Sequence, residues 1–273
     1  MINKIFGKIE RLFSYQRHLN LFATLYLNLR TLPFRQAIKF PVYVYGSVEF
    51  SCLRGKILFQ DVKLVPGLIK LGRHRDDYML HSRSIIHLAT VNSRIVFRGR
   101  CSIGDNFLIR VYDGCLNIGD KVWIGSNVSF ICFNKIHIAD FASITFNCKL
   151  IDSTCHYILD TESNTVSRLT GEIYVGSRNW ICNNTTIMKG FKTGNNCIIA
   201  SNSLCNKDYT LGKDCDELLI AGIPARIIKR NVRRIFSYNA ETQLTRVFQY
   251  KKDMHLPFNH VKEDENDIIN FFV

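Results

Sequence analysis

The residue with the clearest chemical potential is His156, in the run Ile151-Asp-Ser-Thr-Cys-His-Tyr-Ile158. An imidazole titrates at about 6.5, so it can take a proton from a hydroxyl and return it at neutral pH. Asp152, four residues upstream, could orient such a ring, and a main-chain carbonyl could do so equally. A plain surface-loop histidine is the alternative. A second feature is cationic: Arg226, Lys229, Arg230, Arg233 and Arg234 fall within nine residues that contain no acid. Such a cluster suits the phosphates of a small molecule. It would also make a solvated basic face or a nucleic-acid patch, but no aromatic interleaving or nucleic-acid module accompanies it. The other histidines are weaker candidates. His137 sits between Ile136 and Ile138, so strand alternation should point it outward, and His74, His81 and His87 lie in irregular sequence.

These side chains must be positioned by a repeat of six. Ile118-Gly119 is followed six residues later by Ile124-Gly125, and the same count links Ile103 to Ile109, Ile124 to Phe130, and Ile138 to Ile144 and Leu150. The last block runs Val175, Ile181, Ile187, Thr193, Ile199, Cys205 without a slip. Eleven of these 14 positions are Ile, Leu or Val. An amphipathic helix would repeat near 3.6 and a half-exposed strand at 2. A period of six fits short parallel strands joined by tight corners, with one large aliphatic residue per strand pointing inward. Smaller residues follow four places on, at Val122, Val128, Ala142, Cys148, Thr185, Cys197 and Ser203. Gly and Asn crowd the corners (Asp105-Asn106, Ser126-Asn127, Asn183-Asn184, Asn195-Asn196), where left-handed backbone costs them least. Three sixes close one triangular coil, and stacked coils bury a continuous ladder. The count weakens before residue 91, so 42–90 is expected to hold earlier, irregular coils.

With this repeat the chain resembles the hexapeptide-repeat acyltransferases, in their polysaccharide and sugar O-acetyltransferase branch. The resemblance implies an all-β fold, a left-handed parallel β-helix. Four motifs carry it, in family order, over residues 118–230. The His156 stretch is similar to an acidic-x-x-x-His-Pro-Ile run whose histidine is the catalytic base, although Tyr157 here replaces the proline. Val175-Gly-Ser-Arg-Asn-Trp180 resembles the coil whose tryptophan flanks the acetyl-CoA groove. Asn206-Lys207-Asp208 is similar to a Thr-Lys-Asp run. Ala221-Gly222-Ile223-Pro224-Ala225-Arg226 is close to the family's Ala-Gly-Asn-Pro-Ala-Lys/Arg ending, with Ile223 in place of Asn. Asn127 loosely matches an asparagine that holds the acceptor.

The resemblance implies acetyl transfer from acetyl-CoA, as co-substrate, to a sugar hydroxyl of a bacterial surface polysaccharide or its precursor. His156 would be the base, Asn127 the acceptor contact, and Trp180, Lys207, Arg226 and Lys229 the coenzyme contacts. It also implies a homotrimer with sites between neighbouring β-helices, and no metal. The related zinc carbonic anhydrases use a His-x4-His pair, which residues 41–230 lack. A serine acetyltransferase-like enzyme and a non-catalytic β-helix scaffold are the alternatives.

Composition bounds the rest. With 47% hydrophobic and 22% charged residues, 273 residues can bury a real core, which excludes a disordered chain. Thirty-six Lys and Arg against 23 Asp and Glu give +13, favouring an anionic partner. Ten cysteines without a CxxC pair read as buried thiols of a reducing compartment rather than a disulfide framework. No secretory signal or spanning segment is evident, so a cytoplasmic protein is expected, with peripheral contact at the inner membrane as an option for its basic N-terminus. Residues 1–40 read as helical, with seven Lys or Arg against Glu10, and with Ile5, Ile9, Leu12, Leu21, Leu25 and Leu29 at helical spacing. That segment is expected to cap one end of a catalytic β-helix spanning 41–230. Residues 151–172 break the count as an excursion. Residues 231–273 read as a helical tail, basic first and then acidic at Glu263, Asp264, Glu265 and Asp267.

Overall fold

The computed structural model describes residues 18–73, 82–250, 255 and 258. Ile5, Ile9, Leu12, His74, His81 and the acidic residues 263–267 lie outside these. The chain is a left-handed parallel β-helix with three sheets as its walls. Each coil visits the sheets in the same order. Coil three, for example, runs through strands Cys101–Ile103, Leu108–Val111 and Cys115–Ile118. The first sheet has nine strands, the second seven and the third five. All pairings in the walls are parallel until the first sheet ends, where Leu219–Gly222 and Ala225–Lys229 pair antiparallel.

The six-residue count succeeds because each counted residue is an inward rung. All 14 positions are fully buried. In the first wall the ladder runs Val44, Leu71, Ile103, Ile124, Ile144, Ile181, Ile199, Ile220. In the second it runs Ile86, Ile109, Phe130, Leu150, Ile187, Cys205. The third stacks Phe59, Phe97, Ile118, Ile138 and Val175. The smaller residues four places on, from Val122 to Ser203, are buried inside the corners, where a larger side chain would not fit.

Corner backbone follows the same logic. Asn106, Asn127, Asn184 and Asn196 all take positive φ, between 56° and 59°. Three further corners do so without glycine or asparagine: Lys121, Phe141 and Arg178. Lys121 and Arg178 stand 5.0 and 5.4 Å from the Phe141 ring centre, so cation–π stacking supports that column. The irregular stretch holds one coil of strands Val42–Val44, Val48–Leu53 and Lys56–Phe59, and a second, with strands Ile69–Leu71, Ser84–Leu88 and Arg94–Phe97, that runs past residue 91. Their inward rungs hold register, but long connections between strands interrupt the count.

The N-terminal helix, Leu21–Thr31, covers the first coil, but not with the leucines the spacing singles out. Leu21, Leu25 and Leu29 are exposed, and the packed face is Ala23, Thr24, Leu27, Asn28 and Thr31. The reason is the open edge of the first wall. Asn28 donates to Val42 O at 2.7 Å and accepts from Val42 N at 3.2 Å, and Thr24 Oγ1 accepts from Val44 N at 2.9 Å. An apolar face would leave those backbone groups unpaired. The helix Tyr238–Tyr250 belongs to a second compact unit, which begins at Arg233.

All ten cysteines are free thiols. Cys101, Cys132, Cys148, Cys182, Cys197 and Cys205 are buried, and burial pushes the Cys148 and Cys205 thiols up to about 12. They act as small core residues.

Candidate active site

His156 sits on an arm that leaves the second wall after Lys149–Ile151 and rejoins the third at Ile173–Val175. The arm is a short antiparallel hairpin pairing Leu159 with Val166 and Asp160 with Thr165. Its base is closed by Thr154 N donating to Leu169 O (3.0 Å) and Gly171 N donating to Asp152 O (2.9 Å). His156 itself is exposed, and its main-chain carbonyl accepts from Thr154 Oγ1 at 3.1 Å. Among the described residues no side chain engages the imidazole, which leaves both ring nitrogens open to a substrate.

Asp152 is fully buried, and its carboxylate faces the preceding coil. Its two oxygens accept from Phe133 N at 2.7 Å and Asn134 N at 2.8 Å. Burial pushes this carboxyl above the usual carboxylate range, and those N–H groups counter the push. Its recorded partners thus pin the root of the arm rather than the imidazole.

Asn127 occupies the exposed corner between the first and second walls, one coil earlier, and its Nδ2 donates to Asn147 Oδ1 at 2.6 Å. Trp180 points outward from the first wall beside inward Ile181. Strand register places it in an outward row that continues through Ile198 and Leu219 to Lys229. The same row runs the other way through Ser143 to Trp123. Both tryptophans of the chain therefore line one strip, with a serine between them. Trp123 is missed by motif reading, yet it directly precedes inward Ile124 just as Trp180 precedes Ile181. That shared offset is the signal.

Arg226 and Lys229 lie on the closing antiparallel strand and Lys207 just beyond Leu204–Cys205, and all three are exposed. None forms an ion pair among the described residues. Arg230 is partly committed, donating to Asp214 O at 2.7 Å. Asp208 beside Lys207 accepts from Thr210 N and faces Lys192 at 3.4 Å. His137 points outward as alternation requires and stacks on Tyr174, with ring centres 4.9 Å apart.

In a triangular coil the corner between the second and third walls lies opposite the first wall. One chain therefore carries the His156 arm on one side and the Trp180–Lys229 row on the other.

A wall of hexapeptide coils, an unpartnered histidine on an arm and an outward tryptophan row with free cations are the features by which the chain resembles the hexapeptide-repeat acyltransferases, whose left-handed β-helix fold it has. No family model matches the chain. In sequence it is 23% identical over 162 residues to WbbJ of Escherichia coli (strain K12), named for lipopolysaccharide biosynthesis O-acetyl transfer. The match covers 48% of this chain and 76% of that protein. It is 25% identical over 129 residues to Rv3034c of Mycobacterium tuberculosis, named as an acetyltransferase, covering 46% of this chain and 41% of that one. In structure it is similar to the polySia-specific acetyltransferase NeuO, with a TM-score of 0.54 and 20% identity over 80% of this chain and 87% of that one.

Proposed function

We propose that this protein transfers an acetyl group from acetyl-CoA to a sugar hydroxyl of a bacterial surface polysaccharide or its precursor. The observation that carries this reading is the exposed, unpartnered imidazole of His156 on an arm whose root is pinned by Asp152. His156 removes the proton from the acceptor hydroxyl. The oxygen attacks the thioester carbonyl, and a backbone N–H stabilises the tetrahedral oxyanion. The C–S bond then breaks, and the imidazolium returns its proton to the departing thiolate. Asn127 holds the acceptor. Trp180 flanks the coenzyme, and Lys207, Arg226 and Lys229 meet its phosphates. Asp152 is a positioning residue acting through the arm's backbone.

Because the His156 arm and the Trp180 row lie on opposite sides of one chain, a site using both draws them from two neighbouring copies. That supports a homotrimer, whose closed symmetry gives every copy a complete site. The names of WbbJ and NeuO favour a polysaccharide acceptor over a free amino acid. The direct test supplies acetyl-CoA with and without candidate glycans and follows release of free thiol. Sugar-dependent release is expected, and release with serine alone would favour the small-molecule alternative. No release with any acceptor, from protein that binds acetyl-CoA, would sink the reading.

A further inference from the structure

The N-terminal helix turns an apolar face away from the coils. Leu21, Phe22, Leu25, Tyr26 and Leu29 are all exposed, Phe22 at 88% and Leu21 at 70%, while Tyr26, at the edge of this face, also meets Phe50 of the first coil with ring centres 5.5 Å apart. At 3.6 residues per turn they share an arc of about 140°, opposite the packed face. Phe34 (71%), Ile38 and Phe40 extend the exposed apolar surface beyond the helix. Isolated exposed leucines need no explanation, but a set this dense marks an interaction site.

Charge selects the occupant. Arg30, Arg35 and Lys39 stand among these residues, and residues 11–48 contain no Asp or Glu. A second copy docking face to face would set these cations against their own counterparts, with no acid within residues 11–48 to relieve them. Phe, Leu and Tyr on one face with Arg and Lys beside them instead match the boundary of an anionic bilayer, where rings enter the acyl region and cations meet phosphate headgroups. The helix has 11 residues, and about 20 would be needed to span. We propose that this face docks the protein on an anionic membrane surface, with the helix lying in the interface plane. The proposal holds whether or not the acetyl-transfer reading does, because it uses none of the same residues.

The test is flotation of the full chain with vesicles of phosphatidylcholine mixed with phosphatidylglycerol, and with vesicles of phosphatidylcholine alone. The protein should float with the anionic vesicles and much less with the neutral ones. Phe22→Asn with Leu25→Asn should abolish flotation, and melting should be unchanged because both side chains are already exposed. Arg35→Gln with Lys39→Gln should weaken it roughly fivefold per cation removed. Acetyl transfer to a soluble acceptor should not change in any of these variants. Failure of the unaltered protein to float overturns the proposal, as does unchanged flotation of the Phe22/Leu25 variant. Loss of a larger assembly in that variant, seen by light scattering without vesicle binding, would instead make the face an interface between copies.

Discussion

At the scale of single residues, the proposed site separates into a group that would react and a group that would hold it. His156→Ala should lower acetyl transfer by roughly 10²–10⁴-fold, the range of general-base catalysis. An exposed side chain without partners contributes little to stability, so the melting temperature should stay within a degree or two of the parent, and turnover near the parent value would remove His156 from the mechanism. Asp152→Asn should behave differently. An amide keeps one acceptor oxygen where two backbone N–H groups need acceptors, and a charge-assisted bond of about 1.5–3 kcal/mol is lost. Melting should fall clearly, while transfer should drop less than in His156→Ala. The pH profile of kcat/KM should keep its position, because the carboxylate does not touch the ring, and a shifted acidic limb would show that it does. Sequence points to both residues but to only one of the roles. A histidine's chemistry is intrinsic, whereas Asp152 owes its role to Phe133 and Asn134, nearly twenty positions away and adjacent only after a coil has closed.

At the scale of elements, the polar face of the N-terminal helix is the part that pattern reading inverts. Helical spacing singles out Leu21, Leu25 and Leu29 because burial usually follows hydrophobicity. The first strand instead presents unpaired backbone groups, and Asn28 and Thr24 satisfy them. Asn28→Ala should leave the Val42 N–H and C=O without partners, at about 1–3 kcal/mol each. Chemical denaturation should register a loss of a few kcal/mol, and a change near zero would mean that water replaces the amide. The coils themselves were legible because one aliphatic residue per strand is a strong periodic signal, and the asparagine corners because asparagine tolerates positive φ intrinsically. Phe141, Lys121 and Arg178 were not legible. Nothing in a phenylalanine favours a left-handed corner, and only coil closure and the stacked cations hold it there.

At the scale of the whole molecule, the proposed site, divided between opposite sides of a prism, predicts its own stoichiometry. Light scattering should give about three times the mass of one chain, and an active monomer would contradict a shared site. Coenzyme recognition can be tested in the same preparation. Neutralising Lys207, Arg226 or Lys229 should raise the KM for acetyl-CoA roughly tenfold or more per well-formed contact. The change should be much smaller with the dephospho form, wherever the altered residue meets the 3′-phosphate. A steep salt-dependent affinity for nucleic acid with unchanged acetyl-CoA kinetics would reassign the cluster. The two ends of the first wall carry a further consequence. Parallel coils obey a rule with no internal stop: each edge strand offers the next molecule the same hydrogen bonds it offered its own chain, and a prism of this kind could grow into a fibre. Asn28 and Thr24 occupy one edge, and the reversed strand Ala225–Lys229, with its exposed arginine and lysine, blunts the other. The same closing strand that bears the proposed coenzyme contacts thus also denies a neighbouring molecule an open parallel edge on this wall.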